Sequence, residues 1–334
     1  LDLINSSDKS IDAAIYSVND EPKIINALKK AKARGVKVRI VVENDNLEKD
    51  FQNYKEICEL DNNVIKNRSI PKKSKRSIMH NKFFVFDDKI VYTGSTNLTK
   101  TDMSGFNANI AFVITNSDIG KFFKQEFEQM YNGNLNNNKK AVAKNSIKIN
   151  DKMAISVYFS PIDRAMTNKI IPEILKAKKS IYIPGFVITH KEFKKALIEK
   201  AKAGTDIRVI TDATSASNKY SCVEELRKNN IKVKVENYAG KMHMKSIIID
   251  EDKVISGSMN FSRNGEEFND ENILIIENNE LVKYYRKYFD TIWKLIPQKW
   301  LYKSPKAESL DSIGSCFDGI DNDYDELIDK DDPN

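Results

Sequence analysis

Apolar and polar positions follow two different periods along this chain, and the periods succeed one another in a fixed order. A β-branched run from Lys9 is followed by a segment with apolar residues at i, i+3 and i+4, which Gly35 closes, and then by a second β-branched run. The same succession starts again at Lys179, and Gly204 closes its helical segment. Strand, amphipathic helix and strand in this order predict an α/β fold of two similar units, each built on a mixed sheet with helices on its faces.

The two units form an internal repeat with a constant offset of 163 positions. Residues 79–99 (MHNKFFVFDDKIVYTGSTNLT) correspond to residues 242–262 (MHMKSIIIDEDKVISGSMNFS). The polar and glycine positions that recur are His80/His243, Lys82/Lys245, Asp87/Asp250, Gly94/Gly257, Ser95/Ser258 and Asn97/Asn260. So many matches at one offset are not expected by chance, and we predict two homologous repeats.

The repeat sets the expected domain boundaries. We assign residues 1–131 to the first repeat and 153–300 to the second, with an Asn- and Lys-rich linker over 132–152 and an acidic tail over 301–334. The second repeat opens with an additional strand, ISVYFSP at 155–161, for which the first has no counterpart. The first repeat is therefore expected to lack one N-terminal strand, either because the chain is trimmed or because this repeat never had one.

Each repeated segment contains the pattern H-x-K-x(4)-D followed by G-S-x-N, and two intact copies in one chain are highly specific. In this pattern the chain resembles the phospholipase D superfamily, over residues 1 to about 295. The resemblance implies two α/β lobes related by a pseudo-two-fold axis, with the two motifs meeting at the lobe interface. It also implies one active site within a single chain that cleaves phosphodiester bonds without a catalytic metal or other cofactor.

The repeated side chains suit this chemistry. Donors that can neutralise and orient phosphoryl oxygens, the task of a metal in other enzymes, are Lys82, Lys245, Asn97 and Asn260. One histidine can attack phosphorus to form a phosphohistidine while the other protonates the leaving oxygen. Water then completes the reaction as the two histidines exchange roles.

The repeats differ at the position where the family's carboxylate partner of the motif histidine usually lies. The second repeat has Glu271 at this position, and the first has Asn109. We expect Glu271 to lie beside His243 and to favour its imidazolium form, which suits a proton donor. His80, without such a partner, is then predicted to be the nucleophile, and His243 the general acid.

Other motif positions have less specific predictions. Ser95 and Ser258 are predicted to bind substrate, with orientation of the site or a simple turn as alternatives. Asp87 and Asp250 point to the strand face opposite the motif lysines and are predicted to be structural. The third histidine, His190, precedes a helix and is expected to be a surface or capping residue.

Charge is distributed unevenly along the chain. The net charge is +6, but residues 307–334 contain ten acidic residues and one lysine. The preceding 306 residues therefore carry +15, which is the overall charge plus the nine negative charges of the tail. This excess favours a polyanionic partner, nucleic acid or an anionic phospholipid, although a lysine-rich composition explains it equally well. No apolar run reaches the roughly 20 residues of a membrane span.

Compact repeats and the basic segment 71–76 (PKKSKR) favour the nuclease branch of the superfamily. The first hypothesis is a metal-independent endonuclease of low sequence preference. A phospholipase D or phosphatidyl transferase with the same residues is the second hypothesis. A nucleic-acid-binding protein that kept the fold with little activity is the third.

The acidic tail has oxygen ligands at the spacing of a calcium loop. The predicted ligands are Asp321, Asp323, Asp325, Leu327 through its carbonyl, Asp329 and Asp332. Two departures weaken the match, because Glu326 replaces the usual glycine and the last position is Asp. A disordered tail that masks the basic body is the alternative. The tail also resembles metal-binding segments of secreted and surface proteins of prokaryotes, so a secreted or cell-surface prokaryotic protein is expected.

Overall fold

The computed structural model describes residues 1–19, 21–43, 51–61, 65–66, 77–142, 145–238 and 240–306. The candidate calcium loop and the basic segment 71–76 lie outside these residues. No helix within these ranges is long and apolar enough to span a membrane.

The first repeat folds into a mixed sheet with helices on its faces. Its strands are β1 (Ser10–Ile15), β2 (Val18–Asn19), β3 (Lys37–Val42), β4 (Ile65–Lys66), β5 (Lys82–Phe86), β6 (Ile90–Gly94), β7 (Leu98–Thr99) and β8 (Ala111–Thr115). Its helices are α1 (Asp2–Ser6), α2 (Pro22–Ala33), α3 (Phe51–Leu60), α4 (Lys100–Met103) and α5 (Ser117–Tyr131). The main sheet has the order β4-β3-β1-β5-β6-β8, in which β1 pairs with β3 in parallel and with β5 antiparallel. Strands β2 and β7 pair separately.

The second repeat has the same architecture. Its strands are β9 (Ser146–Asn150), β10 (Met153–Ser160), β11 (Ser180–Gly185), β12 (Asp206–Thr211), β13 (Lys232–Val235), β14 (Ser246–Ile249), β15 (Lys253–Gly257) and β16 (Glu271–Glu277). Its helices are α6 (Ile171–Lys176), α7 (Lys191–Lys202), α8 (Ala213–Ala216), α9 (Val223–Lys228), α10 (Arg263–Glu267) and α11 (Asn279–Leu295). A π-helical turn (Met166–Ile170) precedes α6, and 3-10 turns lie at Asn136–Asn138 and Gln298–Leu301.

The order of the second sheet, β13-β12-β11-β14-β15-β16-β10-β9, repeats the first sheet strand for strand and then continues. Within the described residues, the first sheet ends at β8, where the second sheet extends from β16 into β10 and β9. The predicted fold class, two α/β lobes on mixed sheets, is confirmed.

Local signals explain the bounds of the main helices. Helix α2 starts at Pro22, whose missing N–H would have no partner in the first turn, and stops before Gly35, which adopts a left-handed φ of 94°. Helix α7 is capped by His190, whose ring accepts a hydrogen bond from the N–H of Phe193. The ring also contacts the carboxylate of Glu266 at 2.8 Å and is buried, so His190 caps the helix from within the fold and not from the surface.

The two lobes share an apolar core. Phe123 of α5 lies between Phe83 of β5, at 5.0 Å between ring centroids, and Phe159 of β10, at 5.3 Å. On the other side, Phe112 of β8 stacks on Tyr285 of α11. Each inner helix therefore packs against the sheet of the other lobe. Continuous packing of this kind holds the lobes in one relative orientation.

The described parts of the predicted linker, residues 132–142 and 145–152, pack as part of the fold. They contain β9, which pairs with β10, and a fully buried lysine, Lys139. The ammonium of Lys139 binds the buried carboxylates of Glu126, in α5, and Asp270, just before β16. Asp270 also accepts hydrogen bonds from the backbone and side chain of Asn136. The sequence did not reveal these contacts, because a buried lysine in an otherwise polar segment leaves no periodic pattern of apolar residues.

We expect Lys139→Met to destabilise the protein by about 3–5 kcal/mol, because it leaves two buried carboxylates without their cation. Burial raises the pKa of Glu126 to about 7, so the protonated form is favoured by the fold. The stability of the variant should therefore fall as the pH rises from about 5 to 8.

Urea unfolding at about pH 5 and about pH 8 measures the free energy of unfolding of the variant. The matched control is Lys140→Met, because Lys140 is the exposed neighbour of the buried lysine. Equal unfolding free energies for the two variants would contradict a structural role for the buried triad.

Candidate active site

Two backbone bridges between the lobes place the motif histidines. Met79 pairs with Asp270, and Met242 pairs with Ala108. The next residue in each case is the motif histidine, whose N–H donates to the carbonyl oxygen of the same partner at 3.0 Å. Each histidine thus begins the motif of its own lobe but lies against the chain that leads into the last strand of the other lobe.

Glu271 contacts His80, whereas the sequence predicted a contact with His243. Nδ1 of His80 lies 2.9 and 2.8 Å from the two carboxylate oxygens of Glu271. Nδ1 of His243 lies 2.9 Å from Oδ1 of Asn109. The prediction was wrong because the bridges join opposite lobes, so that each histidine takes its partner from the repeat that does not contain it.

The motif serines hold these partners and are fully buried. Ser258 Oγ donates to Glu271 Oε2 at 2.6 Å, and Ser95 Oγ donates to Asn109 Oδ1 at 2.7 Å. In the structure both serines orient these partners, one of the alternatives that the sequence left open; contact with a substrate phosphate stays a prediction.

The motif glycines allow the strands to approach closely at this point. A Cβ atom on Gly94 would lie 2.1 Å from the carbonyl oxygen of Ile110, and one on Gly257 would lie 2.1 Å from that of Asn272. Both positions therefore exclude any side chain. The residues that follow, Ser95 and Ser258, donate their N–H groups to the same two carbonyls.

The motif lysines are buried and point back toward the histidines. Lys82 Nζ donates to the carbonyl oxygen of His80 at 2.8 Å, and Lys245 Nζ donates to that of His243 at 2.6 Å. The exposed fraction is only 3% for Lys82 and 1% for Lys245. Each ammonium retains further N–H groups that can bind a phosphoryl oxygen.

Two aromatic residues at the site were not predicted. Tyr16 lies edge-on to His80 at 4.6 Å and below Lys82 at 4.8 Å. Phe186 has the equivalent relation to His243 at 4.9 Å and to Lys245 at 5.0 Å. The signal that could have found them is their shared position, directly after β1 and β11, the corresponding strands of the two repeats.

Asn97 and Asn260 occupy equivalent turns after β6 and β15. Both are partly exposed, and neither amide oxygen has a hydrogen-bond partner within the described ranges. The structure places the two amides at equivalent positions in the two lobes, and their role as donors to a phosphoryl oxygen stays a prediction.

The motif aspartates lie at the other end of β5 and β14. Asp87 and Asp250 both adopt a left-handed φ near 50° and accept hydrogen bonds of 2.7–3.2 Å from three successive backbone N–H groups, those of Asp8, Lys9 and Ser10 or of Lys178, Lys179 and Ser180. Each aspartate closes the turn that leads into a central strand of its own lobe, β1 in the first and β11 in the second. Their contacts are structural.

Burial and the crowding of cations control protonation at the site. Burial lowers the pKa of Lys82 to about 7 and lowers that of Lys245 well below its ordinary value. Burial also lowers the pKa of both histidines, and the lysine of the other lobe lowers it further in each case. Burial raises the pKa of Glu271 to about 8. Together with the contacts of His80 with Glu271 and of His243 with Asn109 across the lobes, these directions indicate that the two motif sets share one buried site.

Comparison with known proteins agrees with this geometry. The family described as "Cardiolipin synthase, PLD-like domain" matches residues 1–131 and 170–293, more than half of the chain. The chain belongs to the phospholipase D superfamily. The predicted family is therefore confirmed. Members of this superfamily act on phosphodiester bonds.

Individual relatives match in part. A phospholipase D from Rickettsia conorii is 35% identical over 131 residues, which are 39% of this chain and 65% of the relative. The human mitochondrial cardiolipin hydrolase is 29% identical over 157 residues, 47% of this chain and 61% of the relative. The chain therefore spans slightly less than two thirds of the length of these relatives.

A solved structure resembles the whole two-lobed arrangement. The phosphatidylserine synthase of Haemophilus influenzae covers 92% of this chain, over 86% of its own length, with a TM-score of 0.71 and 13% identity. At this identity the likeness establishes the fold.

The pKa of Lys82 predicts that anion binding weakens as the pH rises. Between pH 6 and 8.5, Lys82 loses its positive charge and Glu271 gains a negative one. We expect the affinity of a His80→Asn variant for bis(p-nitrophenyl) phosphate, whose own charge is constant in this range, to fall roughly tenfold.

Calorimetry at constant ionic strength measures this affinity. Adding Lys82→Arg, which keeps its charge at these pH values, should reduce the pH dependence. An unchanged dependence in the double variant would show that another group titrates.

Proposed function

We propose that this protein is a metal-independent phosphodiesterase that cleaves nucleic acid, with low sequence preference, through a phosphohistidine intermediate on His80. The observation that carries the proposal is the pair of histidines at the lobe interface, each held through Nδ1 by a partner from the other lobe. With Nδ1 engaged, Nε2 is the ring nitrogen that can react with substrate.

The proposed reaction has two steps. Nε2 of His80 attacks phosphorus and forms a P–N bond, the P–O bond to the leaving group breaks, and Nε2–H of His243 protonates the leaving oxygen. Water then attacks the phosphohistidine while Nε2 of His243 takes its proton. The P–N bond breaks, which releases a phosphomonoester and restores both histidines.

The two histidine partners support this division of roles. Attack converts neutral His80 into a positively charged phosphoimidazolium. That charge favours the ionised form of Glu271 against the burial that raises its pKa, and the carboxylate can then stabilise the charge on the ring. His243 must be an imidazolium when it acts as the acid; the negative charge of a bound phosphodiester favours that form against the burial and the lysines that lower its pKa. Its neutral amide partner, Asn109, leaves it a stronger acid than a carboxylate partner would. The roles match those expected from the sequence, but the reason differs, because Glu271 supports the nucleophile and not the acid.

The lysines and asparagines of the motifs would hold the phosphoryl group. A bound phosphodiester places a negative charge beside Lys82 and Lys245, which raises their pKa and restores their charged forms. Asn97 and Asn260 supply uncharged donors on the same side. Substrate binding is thereby coupled to the protonation that the chemistry requires.

Charge favours nucleic acid as the substrate. The body of the chain carries a large positive excess before the acidic tail. Lys100 and Arg263 lie at equivalent positions, three residues beyond each motif asparagine, and both are exposed. Cations on both sides of a pseudo-two-fold site suit the phosphates that flank a scissile bond in a polynucleotide.

Lipid is the second candidate substrate, and one observation favours it. Met103, at the end of α4, and Phe106, just after it, are about 40% exposed in the segment between Asn97 and Asn109. Apolar side chains at the rim of the site can insert into a lipid surface. The names of the relatives, phospholipase D and cardiolipin hydrolase, agree with such a substrate.

A cleavage assay in EDTA tests the proposal. We expect nicking of single- and double-stranded DNA or RNA without added metal, and a loss of about 10²–10⁴-fold in rate for His80→Asn. Vesicles of phosphatidylcholine and cardiolipin are assayed in parallel. Lys82→Met should also lose activity, whereas Lys121→Met, an exposed control on α5, should not.

The outcomes separate the hypotheses. Headgroup release from vesicles with intact nucleic acid would assign the protein to the lipid-cleaving branch. Nucleic-acid binding without any cleavage would leave a binding protein. Cleavage that requires added metal would contradict the proposed mechanism.

A second experiment tests the histidine roles. Bis(p-nitrophenyl) phosphate has a good leaving group that needs little acid catalysis. We therefore expect His243→Asn to accumulate a phosphoryl adduct, which peptide mass spectrometry places on His80, and His80→Asn to form none. An adduct on His243 in the His80→Asn variant would reverse the roles.

Calcium binding at 321–332 and export stay predictions, because the tail lies outside the described residues. Calcium titration of the full chain followed by calorimetry, with Asp321→Asn as the variant, would test the loop.

A further inference from the structure

Asp102 is a buried carboxylate of the first lobe that the motif comparison did not single out. It lies in α4 and is 5% exposed. Its backbone N–H is capped by Thr99, as that of Gly265 in α10 is capped by Ser262, so Asp102 and Gly265 occupy equivalent positions. The second lobe admits no side chain there, because a Cβ on Gly265 would lie 2.5 Å from a backbone carbonyl oxygen.

The contacts of Asp102 lead directly to the second motif histidine. Its Oδ1 accepts hydrogen bonds from Nδ2 of Asn109 at 2.8 Å and from Nδ2 of Asn107 at 2.6 Å. Its Oδ2 accepts the backbone N–H of Asn97 at 2.7 Å and lies 3.7 Å from Nδ1 of His243. The carboxylate thus joins the motif turn, the histidine partner and the histidine.

These contacts determine how Asn109 meets His243. A carboxylate accepts but does not donate hydrogen bonds when ionised, so Asn109 must turn its Nδ2 toward Asp102 and its Oδ1 toward His243. The amide oxygen can only accept, so the proton of His243 lies on Nδ1. Ser95 Oγ donates to the same Oδ1, so the carboxylate and the hydroxyl fix the amide together. Without the carboxylate, Nδ2 of Asn109 loses the acceptor that holds it away from the ring.

We propose that Asp102 is the displaced carboxylate of the first lobe, a positioning residue that acts through Asn109 on His243. It takes the part that Glu271 takes for His80, but one hydrogen bond further from the ring. This inference rests on the proposed function of His243 as the acid. The two lobes then differ in how a carboxylate acts on the motif histidine. Glu271 contacts His80 directly, whereas Asp102 acts on His243 through Asn109.

Other charged groups also face His243 and must be considered in any titration. Lys245 and Lys241 approach from its own segment, and Lys82 and His80 approach from the first lobe; all four lower its pKa. Asp102 is the carboxylate nearest to its ring within the described residues, and it also raises the pKa of both motif lysines.

The isosteric variant Asp102→Asn tests the proposal. We expect kcat for a substrate with a poor leaving group to fall about 10–100-fold, because the residue orients the acid without touching substrate. KM should rise by a smaller factor, because the charge of Asp102 also favours the charged forms of Lys82 and Lys245. The alkaline limb of the kcat profile should move to lower pH, because the imidazolium loses a nearby negative charge. The exposed control Asp118→Asn removes the same charge from α5 and should change none of these quantities.

A charge-swapped variant provides the rescue. Asp102→Asn combined with Asn109→Asp keeps one carboxylate and one amide across the same hydrogen bond, but places the carboxylate against His243. We expect this double variant to recover most of the lost kcat and to raise the alkaline limb above that of the wild type. Failure of the double variant to exceed Asp102→Asn would overturn the relay.

Titration of the histidines by NMR gives a measurement that does not require activity. The chain has three histidines, so His243→Asn assigns the signal, and the buried cap His190 reports the integrity of the fold. Asp102→Asn should lower the pKa of His243 by about one pH unit and leave His190 unchanged. If the His190 signal also changes in Asp102→Asn, the substitution has disturbed the fold. The charge-swapped variant, judged by its kcat against Asp102→Asn, then decides whether the relay stands.

The results distinguish the two proposals. A wild-type protein that cleaves no phosphodiester would reject the proposed function, whereas the NMR titration would still test the link between Asp102 and His243. Wild-type cleavage with unaltered kcat, pH profile and His243 titration in Asp102→Asn would reject the relay alone.

Discussion

The site depends on the two backbone bridges that join Met79 to Asp270 and Met242 to Ala108. Each bridge places a motif histidine against the other lobe and aligns it with the residue that follows the bridge partner. The apolar core around Phe123 prevents the lobes from sliding, so the bridges have a fixed register. Neither lobe alone holds a histidine together with its partner, and both pairs lie at the junction of the lobes.

This junction concentrates positive charge in a buried place. Lys82 and Lys245 are removed from water, repel one another and lie beside two histidines. Such an arrangement costs folding free energy, which the packed core and the ring faces of Tyr16 and Phe186 partly offset. Under the proposed function, a bound phosphodiester would relieve this repulsion, so that the protein would bind an anion most strongly where its empty fold is least stable.

The pseudo-two-fold symmetry is close in the backbone but broken in the side chains. Beside one bridge, Asn272 donates to Asn81 of the other lobe, whereas Ile110 and Met244 occupy the equivalent positions beside the second bridge. The histidine partners differ in the same sense, with Glu271 on one side and an amide on the other. A duplicated fold can in this way keep one geometry and still give its two halves different protonation behaviour.

The sequence by itself determined the α/β units, the repeat, the motif histidines, lysines and asparagines, and the turn role of Asp87 and Asp250, because local periods and constant spacing encode them. Only the tertiary structure decided which histidine Glu271 contacts, since 191 positions separate it from His80 and 28 from His243. The burial of Lys139 likewise depends on Asp270 of the second lobe. The orienting role of the motif serines depends on partners in their own lobe, but those partners matter only because each meets a histidine of the other lobe. The spacing of motifs along the chain does not indicate which lobe supplies the partner of each histidine. The packing of the apolar faces of the two lobes determines it.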